Sequence, residues 1–193
     1  MTTSAPKGYD LASNLDALKI NLQLLPDGKG HWKGRDNRVP IAIVYHITDG
    51  DDNTVAWFHS AACDASAHFT IDRDGSIYQF VTTTDTAWSN GNIQGKPNFE
   101  CVPWLEVLAS ATERVNPNFY TISIEHVGHP DTGVTEAQIV ASIKLSIWLK
   151  HRWGIMPDRA HMVRHSDFDT ITRPFCPGLN FPLGRIITET AAG

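Results

Sequence analysis

Residues 39–47 read V-P-I-A-I-V-Y-H-I, an almost unbroken apolar run. A strand with one wet face alternates apolar and polar residues, whereas a continuous apolar run belongs to a strand covered on both faces. That coverage calls for helices on either side of a sheet, so this stretch points to an α/β architecture. His46 stands where the run gives out, and strand ends are where sites in α/β folds gather. The plain alternative is a histidine capping the sheet edge.

The remaining elements fit that frame. Residues 66–72 and 76–81 read as a hairpin around D72-R-D-G75, with Asp74-Gly75 at its centre. Residues 119–127, F-Y-T-I-S-I-E-H-V, read as an alternating strand, with Tyr120, Ile122, Ile124 and His126 on one face and Ser123 and Glu125 on the other. A carboxylate inside such a strand is costly to bury without a partner, which singles out Glu125; a structural ion pair is the plain reading. Residues 133–153 predict a long helix, with Thr135 as N-cap, Gln138 completing a capping box and Gly154 as the stop. Shorter helices are expected over 54–63, 104–112 and 181–190, and a short strand over 159–165. Leucines 11, 15, 18, 22 and 25 recur at helical spacing, so residues 9–25 read as a helix closed by Pro26 and Gly28. His31 and Trp32 then fall in a loop, His59 in solvent, and His68 reads as a structural or substrate-side histidine. The expected layout is residues 1–38 as a helix and loop packing on one globular unit, 39–193, with no repeat and no second domain.

Composition excludes several classes. Net charge is -5 with no basic stripe, so nucleic acid is not an expected partner. No apolar segment approaches the roughly 20 residues that span a bilayer. The N-terminus, M-T-T-S-A-P-K-G-Y-D, lacks the pattern of a secretory signal, so synthesis in a cytoplasm is expected. Three cysteines do not make a disulfide scaffold; a Cys63–Cys101 pair is left open.

The loop R164-H-S-D-F-D-T-I-T-R-P-F-C-P-G178 carries His165 and Cys176. Imidazole and thiolate both suit zinc, and a catalytic zinc takes three protein ligands and leaves a fourth position open. His46 is the best third candidate. Alone, the histidine–cysteine pair is a weak signal, because a buried cysteine is commonly a small hydrophobe.

Taken together, I-V-Y-H46, S66-A-H-F-T-I-D-R-D-G-S-I-Y-Q-F-V81, A87-W-S-N-G91, Y120-T-I-S-I-E-H-V127, and R164-H-S-D-F-D followed by C176-P-G make a specific series. In this order they resemble the zinc-dependent N-acetylmuramoyl-L-alanine amidases, a type shared by phage lysins, muropeptide amidases and peptidoglycan recognition proteins. The resemblance covers residues 40–183. It implies a single-domain α/β fold with a central mixed sheet flanked by helices, and one zinc ion on His46, His165 and Cys176. Some members of that family use a glutamate as acid/base, which falls on Glu125. Others use a tyrosine at a position that is Ala67 here. Many carry a lysine two residues before the third ligand; Pro174 stands there, and Arg173, one step earlier, is the candidate to stabilise the oxyanion. The family's W-H-A-G segment is W-S-N-G in this chain.

The implied activity is hydrolysis of the amide between N-acetylmuramic acid and L-alanine, by a monomeric phage or prophage endolysin reaching the wall through a membrane lesion. The alternatives are a cytosolic muropeptide-recycling amidase and a non-catalytic peptidoglycan-binding module. A zinc peptidase of the H-E-x-x-H type is excluded by the absence of that motif. A closed structural zinc site would need a fourth ligand from His126 or His161.

Overall fold

The computed structural model describes residues 17–51, 53–111 and 115–193. Its centre is β3 (Ala42–Ile47), buried along its whole length. To one side lies β7 (Thr121–His126) and to the other β8 (Met162–Arg164), both parallel to β3. Beyond β7 come β4 (Phe69–Ile71), parallel to it, then β5 (Ile77–Gln79), antiparallel to β4. The outer edge is β1 (Asn21–Leu22), parallel to β5. The sheet is therefore mixed, as expected. A separate two-stranded ribbon joins β2 (His31–Trp32) to β6 (Thr86–Ala87).

Among the described residues, the strands are accompanied by the helices α1 (Thr54–His59), α2 (Pro103–Ser110), α3 (Glu136–Trp153) and α4 (Leu183–Ala192). One face of the sheet buries Ile43, Tyr45, Phe69, Ile71, Ile122 and Ile124 against α3 and α4, through Leu145, Leu149, Phe181 and Ile186. Tyr45 spends its hydroxyl here, bonded to Ser146 at 2.7 Å, so it faces away from His46 as the period of a strand requires. The opposite face buries Val44 and Val163 with Val102, Leu105 and Phe168. None of the helices among the described residues is long and apolar enough to cross a membrane.

Two expectations need correction. The helix expected over residues 9–25 lies outside the described residues as far as residue 16; within them, Asn21 and Leu22 form the edge strand β1. Of the leucines read as one stripe, Leu25 is buried and Leu18 packs on the core, but Leu22 is exposed on the edge strand. His31 and Trp32 belong to a strand rather than a loop. Cys63 and Cys101 are both free: Cys63 packs with Phe58 and Phe80, and Cys101 lies against a different cluster.

The α3 N-terminus is tied to the sheet by one side chain. Thr135 and Gln138 form the expected capping box. Gln138 is also fully buried, and its carboxamide nitrogen donates to Ile71 O at 3.0 Å and Val127 O at 2.9 Å. It thus satisfies carbonyls where β4 and β7 end, besides the helix. A Gln138→Ala variant removes the reciprocal half of the capping box and leaves buried carbonyls unpaired, so it is expected to lose about 2–4 kcal/mol in urea unfolding, more than the roughly 1 kcal/mol of a cap alone.

Candidate functional site

Strand register builds the site. In the parallel pairing of β3 with β7, His46 is the direct neighbour of Glu125; on the far side of β7, Glu125 neighbours Thr70 of β4. Parallel neighbours project to the same face, so the two groups meet without any loop placing them. His46 Nδ1 lies 3.8 Å from Glu125 Oε1. His165 follows directly on β8, whose register sets Arg164 beside Tyr45. Its Nδ1 lies 2.9 Å from His46 Nδ1.

Cys176 reaches this row from the long loop after His165. Its sulfur accepts a weak bond from the Ile47 amide at 3.4 Å, and its carbonyl accepts from the Ser166 amide at 3.0 Å. The Cys176–Pro177 bond is cis. At Gly178 a Cβ would sit 2.8 Å from the Pro130 carbonyl, with φ at +117°, so only glycine lets the chain pass here.

His46, His165 and Cys176 are all buried, and each offers a ligand atom within 4.8 Å of the others'. His165 Nε2 donates to the Asn90 carbonyl at 3.1 Å, which leaves the lone pair on Nδ1, facing His46. A backbone carbonyl behind the ring is the usual partner of a metal-binding histidine. Glu125 Oε2 is buried with no hydrogen-bond partner. Two neutral nitrogens and a sulfur suit zinc and stop one short of a closed tetrahedron. The residues fit the metal.

Electrostatics point the same way. Burial drives His46 well below the ordinary histidine value, and the neighbouring His165 adds to this. Burial also takes His165 down to about 4, so both rings are neutral, which is the ligating form. Burial, then the charge of Glu125, pushes the Cys176 thiol well above its usual range. Glu125 itself rises to about 8 through burial, eased slightly by Arg173. A buried cluster that disfavours both anions is what a cation would stabilise.

Neither suggested fourth ligand is available. His126 lies on the opposite face, donating through Nδ1 to His46 O at 2.8 Å and accepting from the Ser142 hydroxyl at 2.6 Å. His161 pairs with Asp158 at 2.7 Å, away from the row. His68 is structural: it is buried, and lies within 2.8 Å of Arg35 Nη2.

The row opens into a cleft of about 620 Å³, whose lining includes Asp49, Trp57, Ser89, Glu125, Arg173 and Phe175. Arg173 is exposed at its mouth, resting on its own loop through a bond to Thr172 O at 2.9 Å. Trp57 and Phe175 are exposed apolar rims.

Sequence reasoning missed two supports. Asn90 is fully buried, its amide donating to Asn118 and its carboxamide to Thr121, so its carbonyl is held rigidly behind His165. The A87-W-S-N-G91 segment was visible, but not the backbone role of its asparagine. Asp169 organises the loop that carries Arg173, accepting from the Ile171 and Thr172 amides at 2.8 Å each, from Gln94 at 2.7 Å and from the Thr172 hydroxyl. An aspartate three residues before a threonine was the available signal.

Comparison with known proteins now gives the class. Residues 36–179, most of the chain, match the family model described as N-acetylmuramoyl-L-alanine amidase, and the chain belongs to that family. It is thus of the enzyme class that cleaves an amide of peptidoglycan, in a family generally dependent on zinc. N-acetylmuramoyl-L-alanine amidase A of Achromobacter lyticus is 23% identical over 176 residues, 81% of this chain and 86% of that one. The fold is similar to amidase LysC from Clostridium intestinale, with TM-score 0.59, 21% identity and coverage of 88% of this chain and 96% of that one. It is also similar to AmpD, with TM-score 0.63, 20% identity and coverage of 86% and 92%.

Burial opposes the charge of Asp169, but the Thr172, Gln94 and Ile171 donors outweigh it and lower its pKa from 3.8 to about 2. A carboxylate depressed in the fold contributes stability above its unfolded pKa and loses it as the folded pKa is passed on acidification. Asp169→Asn is therefore expected to melt below the parent at pH 5–7. The gap should close between pH 4 and 2, as followed by circular dichroism.

Proposed function

We propose that this chain is a zinc-dependent N-acetylmuramoyl-L-alanine amidase that acts as an endolysin on intact bacterial wall. The observation that carries it is the His46, His165 and Cys176 cluster beside the half-buried Glu125 carboxylate at the floor of an open cleft. The catalytic unit is residues 39–193. Residues before it pack onto this unit through β1 and the buried Arg35, which donates to Thr83, Phe119 and Thr121 carbonyls.

His46, His165 and Cys176 would hold the metal. Zinc bound there supplies Lewis acidity and lowers the pKa of water to about 7. Positive charge in the cluster offsets the burial of Glu125 and favours its carboxylate form. Glu125 takes the proton from the attacking water and delivers it to the leaving L-alanine nitrogen. Asn90, through its carbonyl, keeps His165 in the ligating tautomer. Arg173, at the cleft mouth, is the cation placed to offset the negative charge that builds on the amide oxygen. The endolysin reading is supported by fold similarity to an endolysin amidase, LysCS from Clostridium intestinale, at TM-score 0.57.

The test is digestion of purified peptidoglycan, with products read by mass spectrometry. Free stem peptides beginning with L-alanine are expected, and their loss is expected in Glu125→Ala and after chelation. Cleavage of small anhydro-muropeptides but not of wall would replace the endolysin reading with a recycling one. Binding of both without product would leave a recognition module. Arg173→Ala is expected to lower kcat by about 100-fold with bound zinc unchanged. Cys176→Ala is expected to lower the zinc retained after dialysis, measured by elemental analysis independently of activity.

A further inference from the structure

A second hollow, of about 300 Å³, is lined by Trp32, Trp88, Gly91, Asn92, Asn116 and Asn118. Residues 88–91 divide it from the cleft: Ser89 lines the cleft, while Trp88 and Gly91 line the hollow. Nothing in the proposed chemistry uses it.

Its make-up is specific. Trp32 is 40% exposed yet its ring is held on two sides. It stacks on Phe119 with centroids 5.3 Å apart and planes 15° apart, and tilts against Trp88 at 5.0 Å. A rigid exposed indole binds with little loss of side-chain freedom. Asn118 Oδ1 accepts from the Asn90 amide, and Asn116 Oδ1 from the Asn118 amide, both at 2.9 Å. With those oxygens occupied, the carboxamide nitrogens are left as donors. The site thus offers a flat apolar face beside amide donors. The apolar C–H face of a pyranose and its acetamido carbonyl complement these two features.

Charge separates the two sites. No residue lining the hollow is charged, whereas the cleft carries Asp49, Glu125 and Arg173. In peptidoglycan the ionised groups lie on the stem peptide, while the sugars are neutral once the lactyl group is amidated. The uncharged aromatic hollow matches the sugar strand.

We propose that the hollow is a glycan subsite, holding a neutral N-acetylhexosamine of the strand whose muramoyl amide lies in the cleft. This rests on the amidase reading for its geometry, but binding in the hollow needs no catalysis. Only the short 88–91 segment stands between the two sites, so a polymer would reach both while a single muramoyl peptide would fill the cleft alone.

The test titrates the full chain with a peptide-free tetramer of N-acetylglucosamine, following chemical shifts of the tryptophan indoles. Binding is expected in the parent and in Glu125→Ala. It should weaken about 3- to 10-fold in Trp32→Ala, the scale of a lost aromatic contact. Asn92→Ala, at an exposed position, provides a second variant should Trp32→Ala fold poorly, and is expected to weaken the tetramer in the same direction. Trp32→Ala should also raise KM on polymeric peptidoglycan by a similar factor, with kcat on a single muramoyl peptide unchanged. Absence of tetramer binding in a parent that cleaves wall would overturn the subsite alone. Tetramer binding without cleavage of either wall or small muropeptides would overturn the amidase reading and leave the subsite standing. Binding that neither variant weakens would place the sugar elsewhere and overturn the proposal.

Discussion

The parallel pairing of β3 with β7 is the constraint on which the site depends. It brings His46 and Glu125 into adjacent register positions near the carboxyl ends of their strands. Because side chains alternate faces, a slip of one residue would set Glu125 against the α3 and α4 layer and leave His46 without it. Register in turn is held by the apolar set on the other face, where Ile43, Tyr45, Ile122 and Ile124 have only one face on which they can be buried. The hydrophobic core thereby determines the geometry of the polar site behind it.

The polar face is arranged around an electrostatic deficit. Two neutral imidazoles, a protonated thiol and a carboxyl with its pKa near 8 are gathered at low exposure. The positive charge that acts on Glu125 is that of the exposed Arg173. Such a cluster is poorly satisfied by protein alone, as the unpartnered Glu125 Oε2 indicates. Buried polar groups without partners cost stability, and they occur where a ligand completes them. On the same sheet His126, equally buried and with its pKa near 4, has both ring nitrogens bonded.

Around this row, backbone carbonyls and short polar side chains provide the rigidity. Asn90 presents its carbonyl to His165, Asp169 shapes the loop carrying Arg173, and Arg35 ties the N-terminal ribbon to the strand carrying Glu125. These contacts link residues far apart in the chain, and none of the three touches the cleft chemistry directly.

Much of this was legible in the sequence, because local rules settle it. The apolar run around His46, the alternation that isolates Glu125, the D72-R-D-G75 turn and the Thr135–Gln138 box each obey a period or a cap that needs no tertiary partner. What was not legible depends on contacts across the chain. The leucine spacing at 18–25 allows a helix, yet Asn21 and Leu22 complete a sheet edge because β5 offers unpaired backbone there. Cys63 and Cys101 are kept apart by separate packing clusters. Arg35 sits in a segment that reads as loop, but is buried by carbonyls from two distant stretches. The sequence alone determined which residue types are present for amide hydrolysis and the strand ends on which they lie. Tertiary structure decided that His165 and Cys176 converge on His46 and Glu125, since register and burial act between strands and cannot be written in any one of them.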